Sequence, residues 1–305
     1  MRRAFLSALT SLAESDARIV FLTADLGFTV VENFQAKFPD RFINTGVSEQ
    51  NLLAVSTGLA KEGLIPFVYS IIPFVTLRPF EFIRNGPVLH QLPVRIIGSG
   101  SGFEYGHDGL THYGLEDIGV LRTQPGMRIV VPADHEQAQN ALNATYQLPG
   151  PIYYRLGKNE TATIAGLNGR FGNGTPVSLV EGADILLLAC GAITGEAVKA
   201  SGLLGLQGLR PAVALVDTLQ PLDRQSIAAL VSKYRMVATV EAHYISGGLG
   251  SAIAEIIAEE KLDSRLMRIG VDRLWDGVTG SESFLLSRYG LSAEKIAERI
   301  LKVVS

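Results

Sequence analysis

The chain has 305 residues, 47% hydrophobic and 19% charged, which is typical of a globular protein and excludes a disordered or fibrous one. Its 27 Lys and Arg are balanced by 30 Asp and Glu, for a formal net charge of −3. That balance excludes the basic surface typical of nucleic-acid binding, and the length suits about two domains.

The N-terminal segment MRRAFLSALTSLAESDAR is predicted to be an amphipathic helix, because Glu14 and Asp16 interrupt an apolar run too short for a signal peptide. No run of 18 apolar residues follows, so we expect no membrane span. The only cysteine, Cys190, lies in the apolar strand end ILLLACGA and is expected to be inert. These features predict a cytoplasmic protein.

Short runs rich in Val and Ile alternate with helical patterns along almost the whole chain. Continuous apolar strands separated by helices predict mainly parallel sheets covered on both faces. The predicted strands are, in chain order, RIVFLTADL, RFINTG, IPFVYSI, VRIIGSGSG, MRIVVPAD, PIYYRLGK, DILLLACG, PAVALVDT, RMVATVEAH and LMRIGV. The predicted helices between them include 49–63, 135–147, 195–208 and 249–260.

The alternation fails once, in the Gly- and Asn-rich stretch KNETATIAGLNGRFGNGTP. We interpret 159–180 as a linker between a domain at 1–158 and a domain at 181–305. The predicted fold class is therefore α/β, with two doubly wound, mainly parallel-sheet domains.

One acidic residue stands at the start of a helix that is expected to be largely buried. Glu49, in INTGVSEQNLLAV, follows a short strand and a Thr-Gly turn. Helix capping is one explanation, with Ser48 as the N-cap and Glu49 facing the positive end of the helix dipole. A ligand is the other, since open α/β sheets bind ligands beyond the carboxyl ends of their strands.

The most unusual stretch, GSGSGFEYGHDGLTHYGLED, follows a predicted strand and combines six glycines with His107, Asp108 and His112. Glycine is costly in chain entropy, so a loop of this composition suggests a function. A metal site is one hypothesis, but the spacing of the two histidines differs from the helical pair of a zinc protease. We therefore expect no metal on this chain.

Two other patterns are weaker. SGGLGS, at the start of a predicted helix, is either a tight strand-to-helix turn or an anion site at the helix N-terminus. Neither it nor the glycine-rich loop has the spacing of a dinucleotide-binding motif. No G-x-S-x-G nucleophile motif is present in the sequence.

Taken together, these segments resemble the C-terminal half of transketolase. The resemblance covers nearly the whole chain and rests on an ordered series: TADL, TGVSEQN, PFVYSIIPFVTLRPFEFIRN, HDGLTHYGLEDIGVLRTQPGMRIVVPAD and VEAHYISGGLGSAIAE. It implies a domain that binds the pyrimidine ring of thiamine diphosphate, followed by the transketolase C-terminal domain.

The resemblance implies specific cofactor contacts. Glu49 is similar in position to the catalytic glutamate that hydrogen-bonds N1′ of the aminopyrimidine and so helps to remove the proton from C2 of the thiazolium. Phe74 matches the aromatic residue that packs on the pyrimidine. Asp25, in TADL, matches a position near the cofactor.

The resemblance also implies substrate contacts. Asp108 and His112 match the residues that meet hydroxyl and carbonyl groups of the sugar, with His112 also catalytic, and Arg155 matches an arginine that holds a sugar phosphate. Two departures stand out: the strand end near Gly100 lacks a family histidine, and Leu77 replaces an aromatic or basic residue. Both predict an unusual sugar or sugar phosphate.

The family motif that holds the diphosphate and Mg²⁺ is absent from the 305 residues. The resemblance therefore implies the second subunit of a split transketolase, whose N-terminal partner carries that site, with paired pyrimidine domains and an α2β2 assembly. The implied reaction transfers a two-carbon ketol unit from a ketose to an aldose. The alternatives are a 2-oxo acid dehydrogenase E1 β subunit, a deoxyxylulose-phosphate-synthase-like enzyme, or a scaffolding relative without activity.

Overall fold

Every apolar run predicted as a strand forms one in the computed structural model, which describes residues 1–159 and 163–304. Two of these strands, Ile65–Ile71 and Ile185–Ala189, are buried at every residue, as expected of strands between two helical layers. The strands are β1 (Ile19–Thr23), β2 (Phe42–Asn44), β3 (Ile65–Ile71), β4 (Arg95–Ser99), β5 (Arg128–Val130), β6 (Ile152–Leu156), β7 (Val177–Val180), β8 (Ile185–Ala189), β9 (Pro211–Leu215), β10 (Thr218–Gln220), β11 (Met236–Tyr244) and β12 (Arg265–Val271).

The helices include all those predicted, with ends within a few residues of the expected positions. They are α1 (Arg2–Ser15), α2 (Glu32–Lys37), α3 (Glu49–Lys61), α4 (Ile72–Thr76), α5 (Phe80–Ile83), α6 (Asp117–Arg122), α7 (His135–Thr145), α8 (Thr194–Gly205), α9 (Arg224–Val231), α10 (Leu249–Glu259), α11 (Glu282–Arg288) and α12 (Ala293–Val304). The N-terminal segment is amphipathic as predicted, and α1 buries Phe5, Leu6 and Leu9. Among the described residues, no helix is both long and apolar enough to cross a membrane.

The strands form two sheets. The first has seven strands in the order β10-β5-β6-β4-β3-β1-β2, and the second has five in the order β12-β11-β8-β9-β7. Pairing is parallel throughout, except that β10 runs antiparallel to β5 and β7 runs antiparallel to β9. The predicted α/β class with two mainly parallel sheets is confirmed.

Two short strands were not predicted, and both affect the domain division. β7 lies inside the predicted linker 159–180 and forms the edge of the second sheet. β10 belongs to the second half of the chain but pairs with β5 in the first sheet, with Thr218 opposite Val130. The division into 1–158 and 181–305 therefore does not separate the two sheets cleanly. Linker residues 160–162, and Ser305, lie outside the described residues.

The apolar core continues across the two sheets. One buried cluster contains Ile129 beside β10, Leu219 from β10, and Leu188 from the second sheet, all at most 2% exposed. Burying side chains from both halves in one cluster gives a hydrophobic contribution that neither half retains alone. The two halves are thus packed together through β10.

A buried arginine of the first half also reaches the second half. Arg155, on β6, is 2% exposed, and its Nε donates to Asp117, the first residue of α6, at 2.8 Å. Its Nη2 donates to the carbonyl oxygens of Gly114 (2.5 Å) and of Ala242 on β11 (3.0 Å). Although burial by itself lowers the pKa of Arg155, the Asp117 carboxylate raises it above its ordinary value.

This position does not favour the phosphate-binding role predicted for Arg155, which stays a prediction. A guanidinium that is buried and committed to Asp117 and two carbonyl oxygens is not presented to a sugar phosphate. The arginine instead connects the loop after β4, helix α6 and the second sheet.

Replacing Arg155 by Leu is expected to destabilise the chain strongly, because it leaves the Asp117 carboxylate buried without its cation. Breaking a buried pair in this way costs about 3–5 kcal/mol of unfolding free energy. Urea unfolding at fixed protein concentration measures the change. The control is Arg210→Met, because Arg210 pairs with Asp184 at the surface, with its side chain 73% exposed. A loss for Arg155→Leu no larger than for the control would contradict this account.

Candidate active site

Glu49 is the first residue of α3 and is only 2% exposed. Nη1 of Arg78 lies 3.0 Å from its Oε2 and 3.1 Å from its Oε1, and Ser70 Oγ, on β3, donates to Oε1 at 3.4 Å. Ser48 is the N-cap residue but makes no side-chain capping bond; its hydroxyl donates to the Thr45 carbonyl at 2.8 Å. Glu49 remains in the first turn, where the dipole favours an acid, but its direct partners lie on other elements.

Phe74 lies beside this carboxylate. It is on α4, which continues directly from the carboxyl end of β3. The guanidinium carbon of Arg78 lies 3.9 Å from the centroid of the Phe74 ring, within the range of a cation–π contact. One guanidinium therefore contacts both Glu49 and Phe74.

His112 completes the group. It ends the 3₁₀ turn Leu110–His112 in the loop after β4, and its ring meets Phe74 edge-on, with centroids 4.9 Å apart and planes at 68°. Its Nδ1 lies 2.9 Å from Thr111 Oγ1. Three predicted site residues, from α3, α4 and the loop after β4, are thus connected in a chain of contacts, in which Arg78 joins Glu49 to Phe74 and Phe74 packs against His112.

Close packing explains the glycines of the loop after β4. Gly100 has φ +92°, and a Cβ there would lie 2.2 Å from the Tyr105 ring. Gly102 and Gly114 exchange two backbone hydrogen bonds of 3.0 Å, which close the loop. Tyr113 then donates to the Gly106 carbonyl at 2.9 Å. The loop is therefore a compact structure that places His112 beside Phe74.

The two predicted aspartates lie nearby but outside this group. Asp25, after β1, has φ +56°, is exposed, and accepts a hydrogen bond from Asn44 Nδ2 at 2.9 Å. Asp108 ends the 3₁₀ turn Gly106–Asp108 and is also exposed. Neither aspartate shares a side-chain hydrogen-bond partner with Glu49 within the described part of the chain. Both face solvent, where a ligand can reach them.

No group of three or more His, Cys, Asp or Glu within 1–159 and 163–304 is arranged to hold a metal ion. The expectation that this chain binds no metal stays a prediction. Cys190 is buried at 1% exposure, and burial raises the pKa of its thiol well above the ordinary value, as expected of an inert core cysteine.

The SGGLGS turn is occupied by the protein's own carboxylate. Glu241, on β11, accepts hydrogen bonds from the backbone N–H groups of Leu249 (2.7 Å) and Gly250 (2.9 Å) in the first turn of α10. Those are the donors that a bound anion would need. The structure therefore favours the strand-to-helix connection over the anion site.

Arg78 is the residue that sequence reasoning missed. A signal was available, because the resemblance places an aromatic or basic residue at Leu77, and the basic residue stands one position later. Its importance depends on the contact with Glu49, 29 residues earlier in the chain.

Comparison with known proteins identifies the family. The transketolase pyrimidine-binding domain matches residues 1–163, and the transketolase C-terminal domain matches residues 174–296. The chain belongs to the transketolase family. It is 35% identical to a putative transketolase C-terminal section from Methanocaldococcus jannaschii, over 99% of this chain and 95% of that protein.

Two further similarities concern split transketolases. A 6-deoxy-6-sulfo-D-fructose transketolase subunit from Clostridium sp. is 34% identical, over 97% of this chain and 92% of that protein. A structure described as a split-gene transketolase in an inactive β4 tetramer is 33% identical, with a TM-score of 0.88 over 99% of this chain and 96% of that chain. The chain thus corresponds in extent to the C-terminal section of a split transketolase.

The family also contains longer relatives. A 1-deoxy-D-xylulose-5-phosphate synthase from Syntrophotalea carbinolica is 35% identical over 97% of this chain, but the chain spans only 47% of that protein. The section that such relatives carry on the same polypeptide lies outside the region matched by this chain.

Membership of this family implies thiamine diphosphate, and the Glu49 group fits its aminopyrimidine. That ring needs a carboxyl group at its edge and an aromatic face to pack on. Glu49 and Phe74 supply both, and the planar, N–H-bearing guanidinium of Arg78 shows that one flat group can contact both at once.

The stability of the fold is expected to depend on the protonation of Glu241, whose pKa burial raises to about 7. A carboxyl group whose pKa is higher in the folded than in the unfolded state stabilises the fold fully when the pH is below its unfolded-state pKa. That stabilisation is lost as the pH rises through its folded-state pKa. The unfolding free energy of the wild type, relative to Glu241→Gln, should therefore fall by up to about 3 kcal/mol between about pH 4.5 and 7. Urea titrations across this range measure it, with the exposed Glu62→Gln as control. A constant difference between wild type and Glu241→Gln would refute the expectation.

Proposed function

We propose that this chain is the C-terminal subunit of a thiamine-diphosphate-dependent transketolase, which transfers a two-carbon ketol unit from a ketose to an aldose. The observation that carries the proposal is the chain of contacts, through Arg78, that connects Glu49, Phe74 and His112. These residues come from three separate segments of the ordered family series.

Each residue then has a chemical role. Glu49 holds the aminopyrimidine at its ring nitrogen, and Phe74 packs against the ring face. When bound, thiamine diphosphate supplies the electron sink for cleaving the ketose. The burial of Glu49 keeps water from competing for that contact.

The substrate side of the site is formed by the loop after β4. His112, held against Phe74 and beside Thr111, faces the place where a sugar carbonyl or hydroxyl reacts. Asp108, exposed on the same loop, binds a sugar hydroxyl, and Asp25, exposed after β1, lies on the cofactor side. A histidine at this position can bond to the substrate and move a proton.

The cofactor also requires a second chain. We infer an N-terminal-half partner that holds the diphosphate and Mg²⁺, because the matched family section excludes the domain that does so in full-length relatives. Phe28 (78% exposed) follows Asp25 closely in the chain, and Val47 (74% exposed) precedes Glu49, and exposed apolar side chains of this kind suit coverage by a partner. Pairing of two pyrimidine domains then gives α2β2, and a cytoplasmic setting stays a prediction.

The sugar is expected to differ from the usual pentose phosphates. The strand end near Gly100 lacks the family histidine, and Arg155 is engaged with Asp117. One expected phosphate contact is therefore missing from this chain, and a second side chain is engaged elsewhere. The similar Clostridium protein is named for a sulfo sugar, so sulfonated and non-phosphorylated ketoses belong in the substrate screen.

The direct test is co-expression of the chain with an N-terminal-half partner, followed by assays with thiamine diphosphate, Mg²⁺, ketose donors and aldose acceptors. Transfer of a two-carbon unit supports the proposal. Activity confined to 2-oxo acids would instead support the 1-deoxy-D-xylulose-5-phosphate-synthase-like or dehydrogenase alternative. No activity with either class would favour the scaffolding relative.

Glu49→Gln is expected to leave folding intact and to lower turnover of the complex by about 10²-fold or more, because the amide cannot exchange a proton with the aminopyrimidine. Steady-state kinetics at saturating cofactor give the change, and circular dichroism checks the fold. Glu62→Gln, at the exposed end of α3, is the matched control. Near-full activity of Glu49→Gln would contradict the catalytic role and leave Glu49 only its interaction with the helix dipole.

His112→Ala is expected to lower kcat/KM for the ketose at least about tenfold, by removing a hydrogen bond to the substrate, while cofactor affinity changes little. Kinetics give the first quantity and calorimetric titration of thiamine diphosphate the second. The exposed His90→Ala serves as control. A selective loss of cofactor affinity would contradict the substrate role.

A further inference from the structure

Arg78 occupies both of the contacts that the proposed function gives to the aminopyrimidine. Its Nη1 lies 3.0 and 3.1 Å from the two Glu49 oxygens, and its guanidinium carbon lies 3.9 Å from the centroid of Phe74. A second flat group cannot take the same Phe74 face and the same carboxylate edge while the guanidinium stays there. The arginine and the ring therefore exclude each other.

The guanidinium also matches the ring in chemistry. It is planar, carries N–H donors at its edge, and stacks on aromatic faces. An aminopyrimidine is flat and likewise presents nitrogen atoms at its edge. A site built from Glu49 and Phe74 therefore accepts either group through the same two interactions.

Burial explains why the free chain needs this occupant. Glu49 is 2% exposed, and besides Arg78 its only side-chain partner among the described residues is Ser70, at 3.4 Å. A buried carboxylate without a strong partner is costly. Arg78 removes that cost until another group takes over the contact.

Arg78 is also placed to leave. Its side chain is 44% exposed, and within the described residues its side-chain hydrogen bonds go to Glu49 alone. Rotation toward solvent therefore breaks the hydrogen bonds to Glu49 and the stacking on Phe74. An incoming aminopyrimidine restores partners for both of these residues.

We propose that Arg78 is a displaceable internal occupant of the cofactor site. In the chain without cofactor, it pairs with Glu49 and stacks on Phe74, and binding of the aminopyrimidine moves it toward solvent. This inference rests on the proposed function. Its consequence is that breaking the Arg78–Glu49 pair lowers the affinity for the cofactor.

The test measures binding of thiamine to the free chain, because thiamine carries the aminopyrimidine without the diphosphate assigned to the partner. Arg78→Met keeps a side chain of similar length but removes the charge and the donors. Its thiamine dissociation constant should fall about fivefold or more, in line with the loss of a competing ion pair. Saturation-transfer NMR suits such weak binding, and the exposed Arg84→Met is the control, expected to match the wild type.

Thiamine binding by Arg78→Met that equals the wild type, is weaker, or is undetectable would overturn the inference. If circular dichroism shows that this variant does not fold, Arg78→Lys replaces it. Lysine keeps the charge but lacks the planar guanidinium, so the affinity of Arg78→Lys for thiamine should be higher than that of the wild type. Equal or lower affinity again overturns the inference.

Glu49→Gln in the partner complex separates this inference from the proposed function. If that variant retains full turnover and full affinity for thiamine diphosphate, the proposed role of the site fails. If it loses turnover while Arg78→Met shows no tighter thiamine binding, only the displaceable occupant fails. Loss of turnover together with tighter binding supports both.

Discussion

The buried ion pair between Arg155 and Asp117 is the contact on which the arrangement of the molecule depends. Arg155 lies in the first sheet, Asp117 begins α6, and the same guanidinium reaches Ala242 in the second sheet. A buried charge must keep its partner or impose a large cost. The guanidinium that this pair holds in place therefore links α6 and the first sheet to β11 of the second sheet.

The same pair also bears on the candidate site. Arg155 binds the Gly114 carbonyl, and Gly114 closes the glycine-rich loop through its two hydrogen bonds with Gly102. His112 lies within that closed loop, against Phe74. Arg155, which the family resemblance assigns to a phosphate, thus contacts the closed loop that contains His112.

Glu49 shows the opposite use of a buried charge. Its partner, Arg78, is half-exposed, whereas the partner of Asp117 is enclosed on every side. An enclosed pair gives a rigid joint, and a pair open on one side gives a contact that a ligand can replace. This difference in burial separates Arg155, which is enclosed, from Arg78, which lies at the candidate site.

Much of this could be predicted from the sequence, because it depends on local patterns. Apolar runs gave the long strands, helical periodicity gave α3, α7, α8 and α10, and the ordered motifs brought Glu49, Phe74 and His112 into one hypothesis. β7 and β10 were missed because the sequence around each is typical of a linker or a turn, and both are specified by the strand they pair with.

By itself, therefore, the sequence determined the fold class and the family, and it predicted Glu49, Phe74 and His112 as candidate site residues. Only the tertiary structure decided what the arginines do. Arg155 and Arg78 are both basic residues near motif segments, and nothing local distinguishes them. Their roles follow from burial and from partners distant in sequence, 38 residues away for Asp117 and 29 for Glu49, which only the folded chain brings together.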